Sequence, residues 1–262
     1  MNISPSEKVL VSIEDGIAII TINNPAANTW DLESLPALEA VVNGLNGMAD
    51  VRALVITGQG EKFFSAGADL NQFASGDPVA AGAMGDAFGA AFETLADYRG
   101  VSIAAINGYA MGGGLEVALA CDIRIASNTA RFGQTFAKRG LHPDWGGTYF
   151  LPRLVGMAKA CELIFTGKMI DAAEALRLGI VTEVTEPEGL LPKVHELAAE
   201  IAAGPPIAIR LARRAMYKNA DTSLREALEF ETFAQNICRE SDDAKEGIRA
   251  FVEKRNPEFR GS

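Results

Sequence analysis

The chain has 262 residues, 48% of them hydrophobic, and its 24 Lys+Arg against 34 Asp+Glu give a formal net charge of −10. That length and apolar content suit one large α/β domain with a small appendage. The acidic balance argues against partners with phosphate backbones or anionic lipid surfaces, so neither nucleic acid nor membrane is expected.

Residues 1–8 are polar and lack the apolar core of a secretion signal, and no apolar stretch is long enough to span a bilayer; a cytoplasmic location is expected. Residues 16–22 (GIAIITI) are β-branched and bounded by turn formers, which predicts a buried strand. Residues 23–28 read as a loop, and Asp31 as the N-cap of a helix running to about Asn46. Residues 52–57 (RALVIT) predict a second buried strand, followed by a loop over 58–71. Residues 75–89 are rich in Gly, Ala and Met with weak periodicity, either a mobile cover or a poorly specified helix; 90–98 read as helix. A third strand spans 101–106 (VSIAAI), then Asn107-Gly108, then a helix over 113–121, then short strands at 122–126 and 130–134. Beyond Gly147 the pattern is almost entirely helical. Asp171 caps one helix that Gly179 ends, Pro205-Pro206 opens another, and 221–253 holds two more. Strands alternating with helices place the chain in the α/β class. No internal repeat or low-complexity linker is evident, and the expected division is a core over 1–200 with a helical portion over 201–262.

The three cysteines, Cys121, Cys161 and Cys238, form no CxxC pair, and His142 and His195 stand far apart, so reduced thiols and no metal site are expected. Two small-residue segments carry the chemistry. Residues 63–70 (FFSAGADL) follow the second strand, and 107–116 (NGYAMGGGLE) follow the third. Each lies at the C-terminal end of a strand, the edge where α/β sheets bind ligands. Consecutive glycines let a ligand approach the backbone, and the first amides of a helix lack intrahelical partners and favour negative charge. Two such amides aimed at one oxygen make an oxyanion hole. The alternative is that Gly112 to Gly114 only allow close helix–strand packing. Glu116 follows Gly113 by three residues on the same helical face, among apolar neighbours. A carboxylate there either serves proton transfer with a raised pKa or pairs with an unseen cation.

Taken together, these segments resemble the crotonase (enoyl-CoA hydratase/isomerase) superfamily. The resemblance also takes in Ala120-Cys121-Asp122-Ile123, Phe132-Gly133-Gln134, Pro152-Arg153-Leu154-Val155-Gly156, Thr166-Gly167 and Ser241-Asp242-Asp243-Ala244-Lys245-Glu246-Gly247, and so runs over nearly the whole chain. It implies a spiral of ββα units with a helical trimerisation region, a homotrimer or dimer of trimers, and an acyl-CoA substrate with no separate cofactor and no metal. It implies that the amides of Ala66 and Gly113 hold the thioester oxygen. Ser65, Ala66, Gly67, Ala68, Asp69 and Leu70, with Gly112, line the path of the CoA arm, and Glu116 is the first catalytic carboxylate.

The chain departs from the family's hydratase pattern at Phe136, where a second glutamate is expected. Eight residues on, His142-Pro143-Asp144-Trp145-Gly146-Gly147 resembles the site of a catalytic aspartate in some family isomerases. Asp144 is either that acid or only the cap of the following helix. Phe136 and Trp145 are expected to border the acyl group, although core packing is the simpler role for Trp145 and for Trp30. His142 is either a base suited to neutral pH or, the simpler role, a structural or surface residue, and His195 reads as a solvated face residue. Arg210, Arg213, Arg214 and Lys218 form a basic helical face that either meets CoA phosphates or is merely solvated. The first functional reading is double-bond isomerisation of an enoyl-CoA through a stabilised enolate. Hydration of an enoyl-CoA and non-catalytic acyl-CoA binding are the alternatives.

Overall fold

The computed structural model describes residues 3–72 and 78–262. Among them, ten strands form two sheets. The larger sheet contains β1 (Val9–Glu14), β2 (Ile17–Ile22), β3 (Ala53–Gly58), β5 (Val101–Ile106), β7 (Ile123–Ser127) and β10 (Glu183–Thr185), adjacent in that order. The smaller contains β4 (Phe63–Ser65), β6 (Tyr109–Met111), β8 (Arg131–Gly133) and β9 (Ile170–Asp171). β1 and β2 form an antiparallel hairpin that turns at Asp15 and Gly16, both at positive φ; the rest of the larger sheet is parallel. β3 and β5 are buried at every residue, as central parallel strands covered on both faces must be.

The winding repeats although the sequence does not. β3 feeds β4 and then α2 (Pro78–Ala96); β5 feeds β6 and then α3 (Gly113–Ala120); β7 feeds β8, a 3₁₀ turn at Thr135–Arg139, and then α4 (Gly147–Val155), with α5 (Met157–Thr166) directly after it. Each turn of this ββα spiral gives one strand to each sheet. The repeat is one of placement, with each turn supplying different side chains, so self-similarity of residues is not needed to produce it. Because β4 and β6 pair in parallel (Phe63 opposite Tyr109), the loops that follow them lie side by side. That pairing builds the site.

One face of the larger sheet carries the main core, including Ile20, Leu54, Ile56 and Ile106 with α1 (Ser34–Asn46) and α2. The opposite face packs Ile17, Val55, Ile103 and Ile125 against Leu190, Val194 and Ala198 of α7 (Pro187–Ala203). β1 was not expected from the sequence, because its outward residues alternate with few buried ones. Regular helix in α1 begins at Ser34 rather than beside Asp31, yet Asp31 does cap the turn before it. Its Oδ1 accepts the amides of Glu33 and Ser34 at 3.1 and 2.8 Å. Asp171 caps α6 (Ala172–Arg177) as expected, accepting the Glu174 amide at 2.9 Å. Of the segment 75–89, residues 75–77 lie outside the described residues, and the remainder belongs to α2. The nearly all-helical expectation beyond Gly147 misses β9 and β10, which close one edge of each sheet.

The expected boundary at residue 200 falls within the last turn of α7, before α8 (Pro206–Asn219), α9 (Leu224–Glu240) and α10 (Asp242–Glu253). A partly buried ion pair ties α8 to the core. Arg213 Nε donates to both oxygens of Asp122 at 2.8 Å, Tyr217 OH donates to Asp122 Oδ1, and Ser102 donates to Oδ2. Arg213 also donates to the Ala96 carbonyl. The basic face therefore divides: Arg213 is committed to Asp122, while Arg214 and Lys218 lie over the Phe230 ring. Removing one partner of a desolvated pair strands the other. Arg213→Ala is expected to lower unfolding stability by about 3 kcal/mol, as measured by urea denaturation, with little change for Arg214→Ala.

Candidate active site

The loop after β4 is held by Trp30, a fully buried residue bridged in parallel to Ala68. Trp30 N–H donates to the Gly67 carbonyl at 2.9 Å, and the Asp69 amide donates to the Trp30 carbonyl at 2.8 Å. In such a bridge the residue between the two bonds points its own N–H to the other side. The Ala68 amide therefore faces away from Trp30 and, among the described residues, makes no hydrogen bond. Gly67 adopts φ +88°, and a β-carbon there would approach the Gly113 nitrogen at 3.1 Å and the Met111 carbonyl oxygen at 2.8 Å. The loop thus lies directly against the start of α3. Gly113 is the first residue of that helix, and its N–H also makes no bond among the described residues. The Ala66 amide, expected to be the partner of Gly113, instead donates to the Ala27 carbonyl at 3.0 Å. Ala68 and Gly113 thus offer an unbonded amide from either side of this contact. Which amide of the loop is free depends on the Trp30 bridge, a contact across some 40 residues that residue order does not reveal.

A cavity of about 540 Å³ opens beside them, lined by Ala66, Gly67, Ala68, Leu70, Gly112 and Gly113 on one side and by Phe136, Asp144 and Trp145 on the other. Two of the expected lining residues are placed differently. Ser65 is fully buried with its hydroxyl donated to the Asn28 carbonyl, and the Asp69 carboxylate accepts from Asn71; neither lines the cavity. Side chains that the sequence reading passed over complete the rim. Tyr109, Met111 and Met169 add apolar surface, and Lys138 and Arg139, from the 3₁₀ turn, add positive charge. Both cations sit in the segment that the β8 strand delivers to the mouth, a position set by the fold. None of Arg210, Arg213, Arg214 and Lys218 lines this cavity.

Asp144 is the one carboxylate among the described residues that lines the cavity. It does not cap α4: Gly146 is the N-cap residue, and no side chain caps that helix. Desolvation by the pocket wall raises its pKa, opposed by its own backbone amide and by His142. His142 is exposed at the rim, and His195 is exposed on α7.

Glu116 is fully buried in the first turn of α3. Its Oε2 accepts the Trp145 amide at 3.2 Å and its Oε1 accepts the Gly147 amide at 3.0 Å. The expected alternative of an ion pair is not realised: both oxygens are held by main-chain amides. A β-carbon at Gly147 would collide with Oε1, so only glycine allows this approach. Gln134 is buried alongside, and neither of its polar side-chain atoms makes a regular hydrogen bond. Burial pushes the Glu116 pKa up to about 8, and the Asp144 charge adds to the rise; the two amides oppose it. Glu116 itself does not line the cavity. Trp145, whose amide holds it and whose ring lines the cavity, covers it. That ring rests directly on Gly113, stacks on Phe88 and meets Phe136 edge-on, the latter centroids 6.3 Å apart at 88°.

The raised Glu116 pKa has a sign for stability. The folded chain holds a proton there that the unfolded chain releases above the ordinary value of 4.5, so stability falls as pH rises toward about 8 and is level beyond it. Glu116→Gln is expected to flatten this decline, so that the melting temperature lost between pH 5 and pH 8 shrinks by on the order of 5 °C relative to the parent chain. Differential scanning calorimetry across that range reads it directly.

The family model described as enoyl-CoA hydratase/isomerase matches residues 12–262. The chain is 39% identical to a short-chain-enoyl-CoA hydratase of Clostridium acetobutylicum, over 95% of this chain and 96% of that protein. It is 37% identical to a crotonyl-CoA hydratase of Syntrophomonas wolfei, over 97% and 98%. Among solved structures, an enoyl-CoA hydratase from Bacillus anthracis superposes with a TM-score of 0.95 at 36% identity, covering 98% of this chain and 100% of that one. DspI of Pseudomonas aeruginosa superposes with a TM-score of 0.94 at 47% identity, covering 97% of each. A single match over nearly the full length, on the same fold, identifies the chain as a member of the enoyl-CoA hydratase/isomerase family.

Proposed function

We propose that the protein acts on an enoyl-CoA thioester through an enolate, with Asp144 moving the proton and double-bond isomerisation as its reaction. The observation that carries this reading is the convergence of two unpaired amides, Ala68 and Gly113, on a cavity in which Asp144 is the one described carboxylate. The thioester oxygen accepts from both amides. Asp144 takes a proton from the α-carbon of a 3-enoyl group, the electron pair delocalises as a dienolate, and the negative charge resides on the thioester oxygen. The same carboxyl then returns the proton to the γ-carbon as the double bond moves to C2–C3, giving the 2-enoyl thioester. The charge exists only transiently, so donors already fixed in place favour the transition state over the ground state. Glu116 supports this by clamping the amides that flank Asp144's loop. Lys138 and Arg139 supply charge for the CoA phosphates at the rim, and CoA enters as part of the substrate with no separate cofactor.

Hydration is the second reading, favoured by the names of the relatives and by the openness of Asp144 to water. It needs two carboxylates, so Glu116 would have to reach the substrate past Trp145. The two readings part on mutation. Under isomerisation, Asp144→Asn lowers turnover of a 3-enoyl-CoA by about 10² or more, while Glu116→Gln, which keeps an acceptor for one amide, costs less than about tenfold. Equal losses in the two variants, with fast water addition to a 2-enoyl-CoA followed at the thioester absorbance, would establish hydration instead.

We also infer a cytoplasmic protein that assembles as a homotrimer or a pair of trimers through α8–α10. No helix of the described residues is long and apolar enough to cross a membrane. Leu224, Phe233, Ile248 and Phe251 are more than half exposed on these helices, more apolar surface than a lone protomer usually shows. Light scattering behind a sizing column should return three or six times the chain mass; a monomer would remove this part of the reading.

A further inference from the structure

We propose that Trp145 sets the length of the acyl group, closing the pocket so that the site takes a short enoyl chain of four to six carbons. The proposal rests on the acyl-CoA reading above. The amides of Ala68 and Gly113 fix where a thioester carbonyl sits, and the acyl carbons must extend from that point. The space beyond Gly113 is already occupied by the six-membered ring of Trp145, in such close contact that a β-carbon at Gly113 would coincide with it. The ring is not free to drift. It is 3% exposed, its outer face is stacked on Phe88, itself 1% exposed on α2, and Phe136 abuts it edge-on.

Phe136 also packs over Gly112, 3.6 Å from where a β-carbon would lie. Two aromatic rings from separate segments, Trp145 and Phe136, therefore form the end wall, with Phe88 packed against Trp145 and Asp144 in the adjoining wall. A chain of a few carbons lies along this wall. Each further methylene has to displace packed aromatic surface, and so adds no binding.

The side chain of Trp145 can be removed without removing its amide, so the bond from that amide to Glu116 Oε2 survives substitution. The test is therefore Trp145→Ala, with Trp145→Phe as a milder variant that retains a ring should the alanine variant fold poorly. Two series are read: calorimetric binding of saturated acyl-CoAs of 4, 6, 8 and 10 carbons, and kcat/KM on the matching enoyl-CoAs.

The parent chain should bind the 10-carbon thioester no more tightly than the 4-carbon one. Trp145→Ala should bind it at least tenfold more tightly than the parent does, a gain that burying two methylenes suffices to produce. Trp145→Phe should fall between. Identical chain-length profiles in parent and variants, or a parent that prefers ten carbons, would overturn the assignment of Trp145 while leaving acyl-CoA binding intact. A short-chain binding profile without turnover would leave the pocket assignment standing and sink the catalytic reading. Failure of every acyl-CoA to bind would end both.

Discussion

Trp30 governs the site without touching its cavity. By bonding the Gly67 carbonyl and the Asp69 amide, it fixes the loop after β4 so that the intervening Ala68 amide points the other way. The parallel pairing of β4 with β6 then sets this amide beside the Gly113 amide at the start of α3. Neither element alone makes an anion site. A helix of eight residues has a weak terminal field, and an isolated loop amide would prefer water. Held together by buried strands, the two donors are ordered during folding, so the reaction does not have to order them. The close approach at Gly67 and the positive φ it adopts are the local requirements of that arrangement.

The placement of Glu116 is electrostatically costly, and the structure shows how it is tolerated. A carboxylate sealed among Leu115, Val117 and Ala118 cannot keep full charge at neutral pH without strong compensation. Two amides compensate in part, and protonation does the rest, which is the content of a pKa near 8. In return, α3 is linked to the turn that begins α4, so the segment carrying Asp144 and Trp145 is anchored at two points. A carboxyl group in this role connects two segments, and Asp144, open to the cavity, is left to face the ligand. The split between one sealed and one accessible carboxyl group is the kind of asymmetry that separates roles at an active site.

Aromatic packing completes the division. Phe136 stands where the sequence resemblance leads one to expect a second glutamate, and its ring meets Trp145, which in turn rests on Phe88. Replacing a carboxylate by a phenyl ring changes both the chemistry and the shape of the pocket, because the ring cannot hold a water and does fill volume. The two effects come from one substitution, so the loss of a polar group and the shortening of the pocket are expected to travel together.

Much was legible from residue order because it rests on short-range chemistry. β-branched runs at 16–22, 52–57 and 101–106, the glycines ahead of Glu116, and the ordered segments from Phe64 to Gly247 are local signals, and they identified the fold, the family and the two loops. What local order does not encode is direction. Whether Ala66 or Ala68 offers its amide was decided by Trp30, whether Glu116 meets a cation or two amides was decided by the turn at 145–147, and whether Arg213 meets phosphate or Asp122 was decided by how α8 docks. Residue types and spacing determine which groups are available. Only tertiary contacts, which commit some of those groups to one another and leave the rest unpaired, decide which remain to face a ligand.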